Sequence, residues 1–281
     1  MLTCLLYTPG LDSRLAAWVL RKKKIPFVRC YVDINSRYSR IEMDLLKRWN
    51  CRDLIVLKGP NLGSVEDDRT AFIPNRNAII ATVAQTFLNC DVLLFSSVKD
   101  DRVLDSSKEF RSSLSKTLSI SAGRKIVVDS VLHDREKAEW VRLFAERNPK
   151  KKLTLLTKTY SCYSSFLTCN YMHYYYKRGK YLLKSRSRYP ILGCLDCKAC
   201  FRRLCALTAA NIYVPMKENS EVLMDYVNEV FGDEHKHEQF RNKYRSRYNS
   251  IMDYLFCVLT PQKFRDRPHC SVSELDGVLR F

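Results

Sequence analysis

Residues 3–23 read Thr3-Cys-Leu-Leu-Tyr7-Thr8-Pro9-Gly10-Leu11-Asp12-Ser13-Arg14-Leu15-Ala-Ala-Trp18-Val19-Leu-Arg-Lys-Lys23. The unbroken apolar run at 3–7 predicts a strand. A turn at 8–13 follows it directly. Residues 14–23 then have helical spacing, with Leu15, Trp18 and Val19 on one side. Backbone amides at such a junction, with the positive end of the helix dipole, cradle an anion. Gly10 permits close backbone approach, the Thr8 and Ser13 hydroxyls can donate to phosphate, and Asp12 could help hold a metal on a triphosphate. Taken alone, the turn reads equally as a capped one, with Asp12 or Ser13 as N-cap.

The same alternation continues along the chain. Strands are predicted at 26–32, 53–57, 91–96 and 125–128, and helices at 38–49, 77–88, 107–118 and 134–147. This implies an α/β fold with a doubly wound, mostly parallel sheet, whose ligands bind beyond the carboxyl ends of the strands. After Arg203 the pattern changes to two helices, 220–231 and 237–259, around a turn at 232–234. An irregular segment with Pro261 and Pro268 follows.

Three of the twelve cysteines lie in Gly193-Cys194-Leu195-Asp-Cys197-Lys-Ala-Cys200. A Cys-x2-Cys-x2-Cys run points three sulfurs into one small volume, and tetrahedral zinc needs about four ligands. Cys162 is the candidate for the fourth, with Cys169, Cys205 and His173 as rivals. Disulfides and an iron–sulfur cluster are the alternatives to zinc. The opening Met1-Leu-Thr-Cys4 has no signal-peptide pattern, so a reducing cytoplasm is expected. No run of about 18 apolar residues predicts a membrane span.

The net charge of +18 is concentrated. Residues 141–190 hold twelve Lys and Arg against one acid, Glu146, a net +11, with interleaved tyrosines including Tyr174, Tyr175 and Tyr176. Basic and aromatic residues together suit phosphate contact with base stacking, so nucleic acid is one expected partner of residues 150–189. A solvated basic loop is the other reading.

The turn at 8–13 resembles the PP-loop, Ser-Gly-Gly-x-Asp-Ser, of the N-type ATP pyrophosphatases. Phe72-Ile-Pro-Asn-Arg76-Asn77 is similar to a Val-Pro-x-Arg-Asn segment. Asp105-Ser-Ser-Lys-Glu109-Phe110 is similar to Asp-Cys-Arg-x-Glu-Phe, and Lys137-Ala-Glu139 to a Lys-Ala-Glu helix opening. Thr159-Tyr-Ser-Cys162-Tyr163 resembles Thr-x-Ser-Cys-Tyr, and Cys194-x2-Cys197-x2-Cys200-x2-Arg203 resembles Cys-Gly-x-Cys-x2-Cys-x2-Arg. In this order the set resembles the 7-cyano-7-deazaguanine synthase family, over about residues 1–205. The stretch Tyr31-Val-Asp-Ile-Asn-Ser-Arg37-Tyr38-Ser39 is most similar to phage-encoded members, for which the cytoplasm would be the host's. There are departures: Pro9 and Leu195 stand where the family has glycine, Ser106 and Ser107 replace Cys and Arg, and the gap from Cys162 to Cys194 is longer.

The resemblance divides the chain into an ATP-binding domain, 1–158, a zinc lobe with the basic insertion, 159–205, and a helical extension, 206–281. It implies ATP with Mg²⁺ at Thr8, Gly10, Leu11, Asp12 and Ser13. Asp12, Ser13 and Lys137 would act in catalysis, and Arg76, Asn77, Asp105 and Glu109 would bind substrate. One structural zinc would sit on Cys162, Cys194, Cys197 and Cys200. The implied reaction joins a 7-carboxy-7-deazaguanine and ammonia: the carboxylate is adenylated, ammonia gives the amide, and a second activation leaves the nitrile. Lys137 could otherwise be a solvated helix lysine, and Asp105 the N-cap of the helix near Ser107. A paralogue acting on a protein end or tRNA, and a non-catalytic nucleic-acid-binding protein, are the competing readings. A homodimer is compatible with the sequence.

Overall fold

A computed structural model describes residues 1–49, 51, 53–67, 71–101, 103–162, 173–177, 180–184, 193–212, 214, 216, 225 and 234–259. For 173–177, 180–184, 234–236 and 256–259 only the backbone path is described.

Five strands form one parallel sheet: β1 (Thr3–Leu6), β2 (Val28–Asp33), β3 (Leu54–Lys58), β4 (Val92–Val98) and β5 (Val127–Leu132), in the order β3-β2-β1-β4-β5. β1 is central, with Leu6 paired to Cys30 on one side and Cys4 to Leu93 on the other. All four of its residues are buried, as its apolar run requires. Chain order reverses between β1 and β4, so their carboxyl-end loops frame the crevice where doubly wound sheets bind ligands.

Helices cover both faces. Residues of α1 (Leu11–Lys22), α2 (Ser39–Arg48) and α5 (Lys137–Arg147) share one core cluster with Leu5, Tyr31 and Leu94. Residues of α3 (Arg76–Leu88) and α4 (Lys108–Ala122) share the other with Cys4, Leu6 and Val32. α1 begins at Leu11, three residues before the expected start. Its N-cap is Gly10 without a side-chain cap, so Asp12 and Ser13 lie inside the first turn and neither is the cap.

After α6 (Thr154–Thr157) the chain reaches the cysteines and enters α7 (Lys198–Thr208), which crosses the expected boundary at residue 205. α7 packs into the first core with α8 (Glu234–Lys243) and α9 (Arg245–Leu259). Phe201 meets Tyr254 edge-to-face at 5.7 Å, and the Tyr254 hydroxyl donates to the Val214 carbonyl at 2.8 Å.

The helix expected at 237–259 is thus two. Tyr244 and Tyr248 keep their i−4 hydrogen bonds, but the Arg247 N–H between them donates to Glu136 Oε2 instead. That tertiary contact interrupts the helix at Tyr244. The basic insertion holds an antiparallel hairpin, β6 (His173–Lys177) with β7 (Lys180–Lys184). The side chains proposed there for nucleic acid lie outside the described residues, as do Cys169, the 220–231 helix (Asp225 apart), the 232–233 turn and the 260–281 segment. No helix among the described residues is long and apolar enough to cross a membrane.

Candidate active site and metal centre

Parallel order brings the loops after all five strands to one edge of the sheet. There the turn at 8–13 is bonded to itself. The Thr8 N–H donates to Ser13 Oγ at 3.1 Å, and the Gly10 N–H to Thr8 Oγ1 at 3.2 Å. The two hydroxyls face each other at 3.2 Å. One donates to the other, so a single hydroxyl proton of the pair remains for a ligand. A Cβ on Gly10 would lie 3.0 Å from Thr8 Oγ1, which is tight enough to favour glycine. The first i−4 bond of α1 runs from the Arg14 N–H to the Gly10 carbonyl. The amides of Leu11, Asp12 and Ser13 precede it, where helical geometry supplies no acceptor.

Asp12 meets Lys137 from the start of α5, Nζ to Oδ2 2.9 Å. Burial pushes the Asp12 carboxyl up to about 6, against the pull of Lys137. The Lys137 ammonium is disfavoured by burial, yet Asp12 and then Asp101 and Asp100 raise it above its usual value. At 2.9 Å the two groups stand in ion-pair geometry. Asp12 Oδ1 is buried without a hydrogen-bond partner among the described residues. Lys137 is consequently no free solvated lysine.

The residues expected at the substrate end fall on neighbouring loops. Asn77 Nδ2 donates to the Asp105 carbonyl at 3.0 Å, joining the start of α3 to the 3₁₀ turn Leu104–Ser106. Buried Arg111 holds that turn from behind through the Ser106 carbonyl and Asp129. Ser107, not Asp105, caps α4 by accepting from the Phe110 N–H at 3.1 Å. Glu109 is exposed, and its own backbone amide with the Ser107 side chain holds its carboxyl below the usual range.

Arg76 acts electrostatically on Tyr38 and on Glu42, a residue that composition and spacing did not single out. Glu42 accepts from the Tyr31 hydroxyl at 3.0 Å, and burial pushes its carboxyl up to about 7. Its only sequence signal is an acid on the inner side of α2, three residues after Ser39.

The four expected cysteines converge. The sulfurs of Cys162, Cys194, Cys197 and Cys200 all lie within 4.8 Å of one another. Cys205, by contrast, sits in the third turn of α7 outside this group. Amide donors surround the sulfurs: Cys194 N–H to Cys162 Sγ at 3.2 Å, Asp196 N–H to Cys194 Sγ at 3.3 Å, and Cys200 N–H to Cys197 Sγ at 3.5 Å. Such donors stabilise thiolates. Ligands at about 2.3 Å in a tetrahedron stand roughly 3.8 Å apart, close to the 4.0 Å from Cys194 Sγ to Cys200 Sγ. All four cysteines are free of disulfides. The donor set fits zinc, with no position left open. The lobe is tied to the phosphate turn by the Tyr160 N–H, which donates to the Pro9 carbonyl at 2.8 Å.

The family model described as queuosine biosynthesis protein QueC matches residues 26–211. The chain belongs to the QueC family. The QueC match begins after the turn at 8–13 and ends before α8 and α9. A curated relative, the 7-cyano-7-deazaguanine synthase of Methanocaldococcus jannaschii, is 26% identical over 152 residues, 52% of this chain and 56% of that protein. This QueC chain thus spans just over half the length of that relative. Among solved structures, one described as a predicted subunit of tRNA methyltransferase from the same organism aligns with TM-score 0.34 and 18% identity. The alignment covers 53% of this chain and 88% of that one.

Proposed function

We propose that the protein converts 7-carboxy-7-deazaguanine and ammonia to 7-cyano-7-deazaguanine at the expense of ATP. The observation that carries this is the 2.9 Å Asp12–Lys137 contact, set against the helix-opening amides of Leu11–Ser13 within a QueC-family chain. A carboxylate is a poor acyl donor. In adenylation a carboxylate oxygen attacks the α-phosphorus of ATP and expels pyrophosphate. Ammonia then forms the C–N bond as AMP leaves with that oxygen and a proton is lost. A second adenylation, of the amide oxygen, lets AMP leave with it as two N–H protons are lost and the nitrile forms.

The chain's part is to hold triphosphate. Lys137 can turn from Asp12 to a phosphate, and the α1 amides can donate to the same group. Mg²⁺ would neutralise phosphate charge, with buried Asp12 Oδ1 as its protein ligand. Pro9 supplies no N–H, so the cradle has one donor fewer than a glycine there would give. Arg76, Asn77, Asp105 and Glu109 are the proposed substrate contacts. Zinc on the four cysteines would hold the lobe that lies against Pro9.

The test is incubation with ATP, ammonia and carboxydeazaguanine, with mass detection of the nitrile. Lys137→Met should lower the rate about 100-fold, as expected for a lost charged phosphate contact. A parent protein that forms neither nitrile nor pyrophosphate under these conditions sinks the proposal.

A further inference from the structure

α9 lies beyond the QueC match, yet it reaches the opening of the helix that carries Lys137. The Arg247 N–H donates to Glu136 Oε2 at 2.6 Å. Glu136 is the N-cap of α5, in a reciprocal capping pair with Glu139. The Arg247 guanidinium donates to the Asp100 carbonyl at 2.9 Å and stands 3.6 Å from Asp100 Oδ2. The other carboxylate oxygen, Oδ1, accepts the Lys137 backbone N–H at 2.9 Å. Both side chains are nearly buried, at 11% and 7% exposed. A cavity of about 140 Å³ lined by Asp100, Lys137, Arg202, Cys205 and Arg247 lies between α5, α7 and α9.

The arrangement has an electrostatic logic. Asp12, Asp100 and Asp101 all act on the one Lys137 ammonium. At low dielectric, acids competing for one cation decide where it points. Arg247 engages Asp100 and so leaves Asp12 as the partner of Lys137. We propose that α9 is part of the nucleotide site, with Arg247 as a positioning residue that acts through Asp100 and the α5 cap to direct Lys137 toward Asp12 and the phosphates. The inference rests on the function proposed above.

The experiment measures binding of ATP and of adenosine to the full chain by calorimetry. Arg247→Met keeps the apolar stem and removes the cation. It should weaken ATP about tenfold and leave adenosine unchanged, and Arg247→Lys should restore most of the loss. In an Asp100→Asn background, Arg247→Met should have no further effect, because a neutral amide does not compete for Lys137. Should Arg247→Met alone not fold, the double variant replaces it, since it buries no unpaired carboxylate. It should bind ATP like the Asp100→Asn protein, and a tenfold loss relative to that protein overturns the inference. So does unchanged ATP affinity in Arg247→Met, or a parallel fall for ATP and adenosine, which marks general loosening. A parent protein that binds no ATP fails at the earlier step, and the proposed function falls with the inference.

Discussion

Gly193 has a backbone φ of 137°, and a Cβ built on it would stand 2.9 Å from Cys200 Sγ. Both facts follow from packing the chain against the sulfurs just before Cys194. An alanine there is strained by about 1–3 kcal/mol and must also displace a ligand atom. Gly193→Ala should therefore lose zinc to a chelating dye at least tenfold more readily than the parent. Equal retention would show that the sulfurs can shift to admit a methyl group. Leu195 obeys a different balance. Its φ of 57° is left-handed, where the family has glycine, so a glycine would relieve about 1 kcal/mol. The leucine is fully buried, however, and truncating a core leucine costs about 2–5 kcal/mol. Packing outweighs strain, which explains how a non-glycine residue holds this position.

At the scale of elements, Tyr31 and Glu42 join β2 to α2, and the join depends on pH. The Glu42 carboxyl rises from 4.5 to about 7 in the folded chain, chiefly through burial. The folded state binds this proton more tightly than the unfolded state, so the contribution to stability is greatest below pH 4.5 and declines as pH rises toward 7. The decline is at most about 3 kcal/mol. Glu42→Gln stays neutral at every pH. Thermal melts of the parent should slope downward between pH 5 and 7, and melts of this variant should not. Parallel curves for parent and variant would mean that Glu42 is ionised in the folded chain throughout. The N-terminal elements were legible because each carries its own signal: the apolar run of β1, the 3.6-residue spacing of α1, the glycine between them. The start of α1 was not, because the Pro9 carbonyl accepts a tertiary bond from the Tyr160 N–H that a turn template lacks. The division of 237–259 into α8 and α9 was invisible for a similar reason, since Glu136, over 100 residues away, takes the amide of Arg247.

For the whole molecule, the helices beyond the family match share one core with the sheet. Tyr254 is fully buried against Phe201, about one turn into the helix that begins at the cysteine cluster. Tyr254→Ala should cost about 3–5 kcal/mol. In calorimetry it should lower a single melting transition of the whole chain. A separate early transition, with the remainder melting as in the parent, would show the extension to be an independent unit.

The sequence alone determined the parallel α/β sheet, the cysteine triplet at 194, 197 and 200 and the loops that would carry the proposed chemistry. Strand and helix periods, and a cysteine triplet of short spacing, are local patterns, and local patterns survive in a one-dimensional chain. Only the tertiary structure decided that Lys137 faces Asp12, that Glu42 is a buried acid against Tyr31, that Cys162 and not Cys205 completes the quartet, and that Arg247 closes on Asp100. These depend on which distant charges and sulfurs share one desolvated volume. Burial and Coulomb energy are set by distance in space, which separation along the chain does not encode.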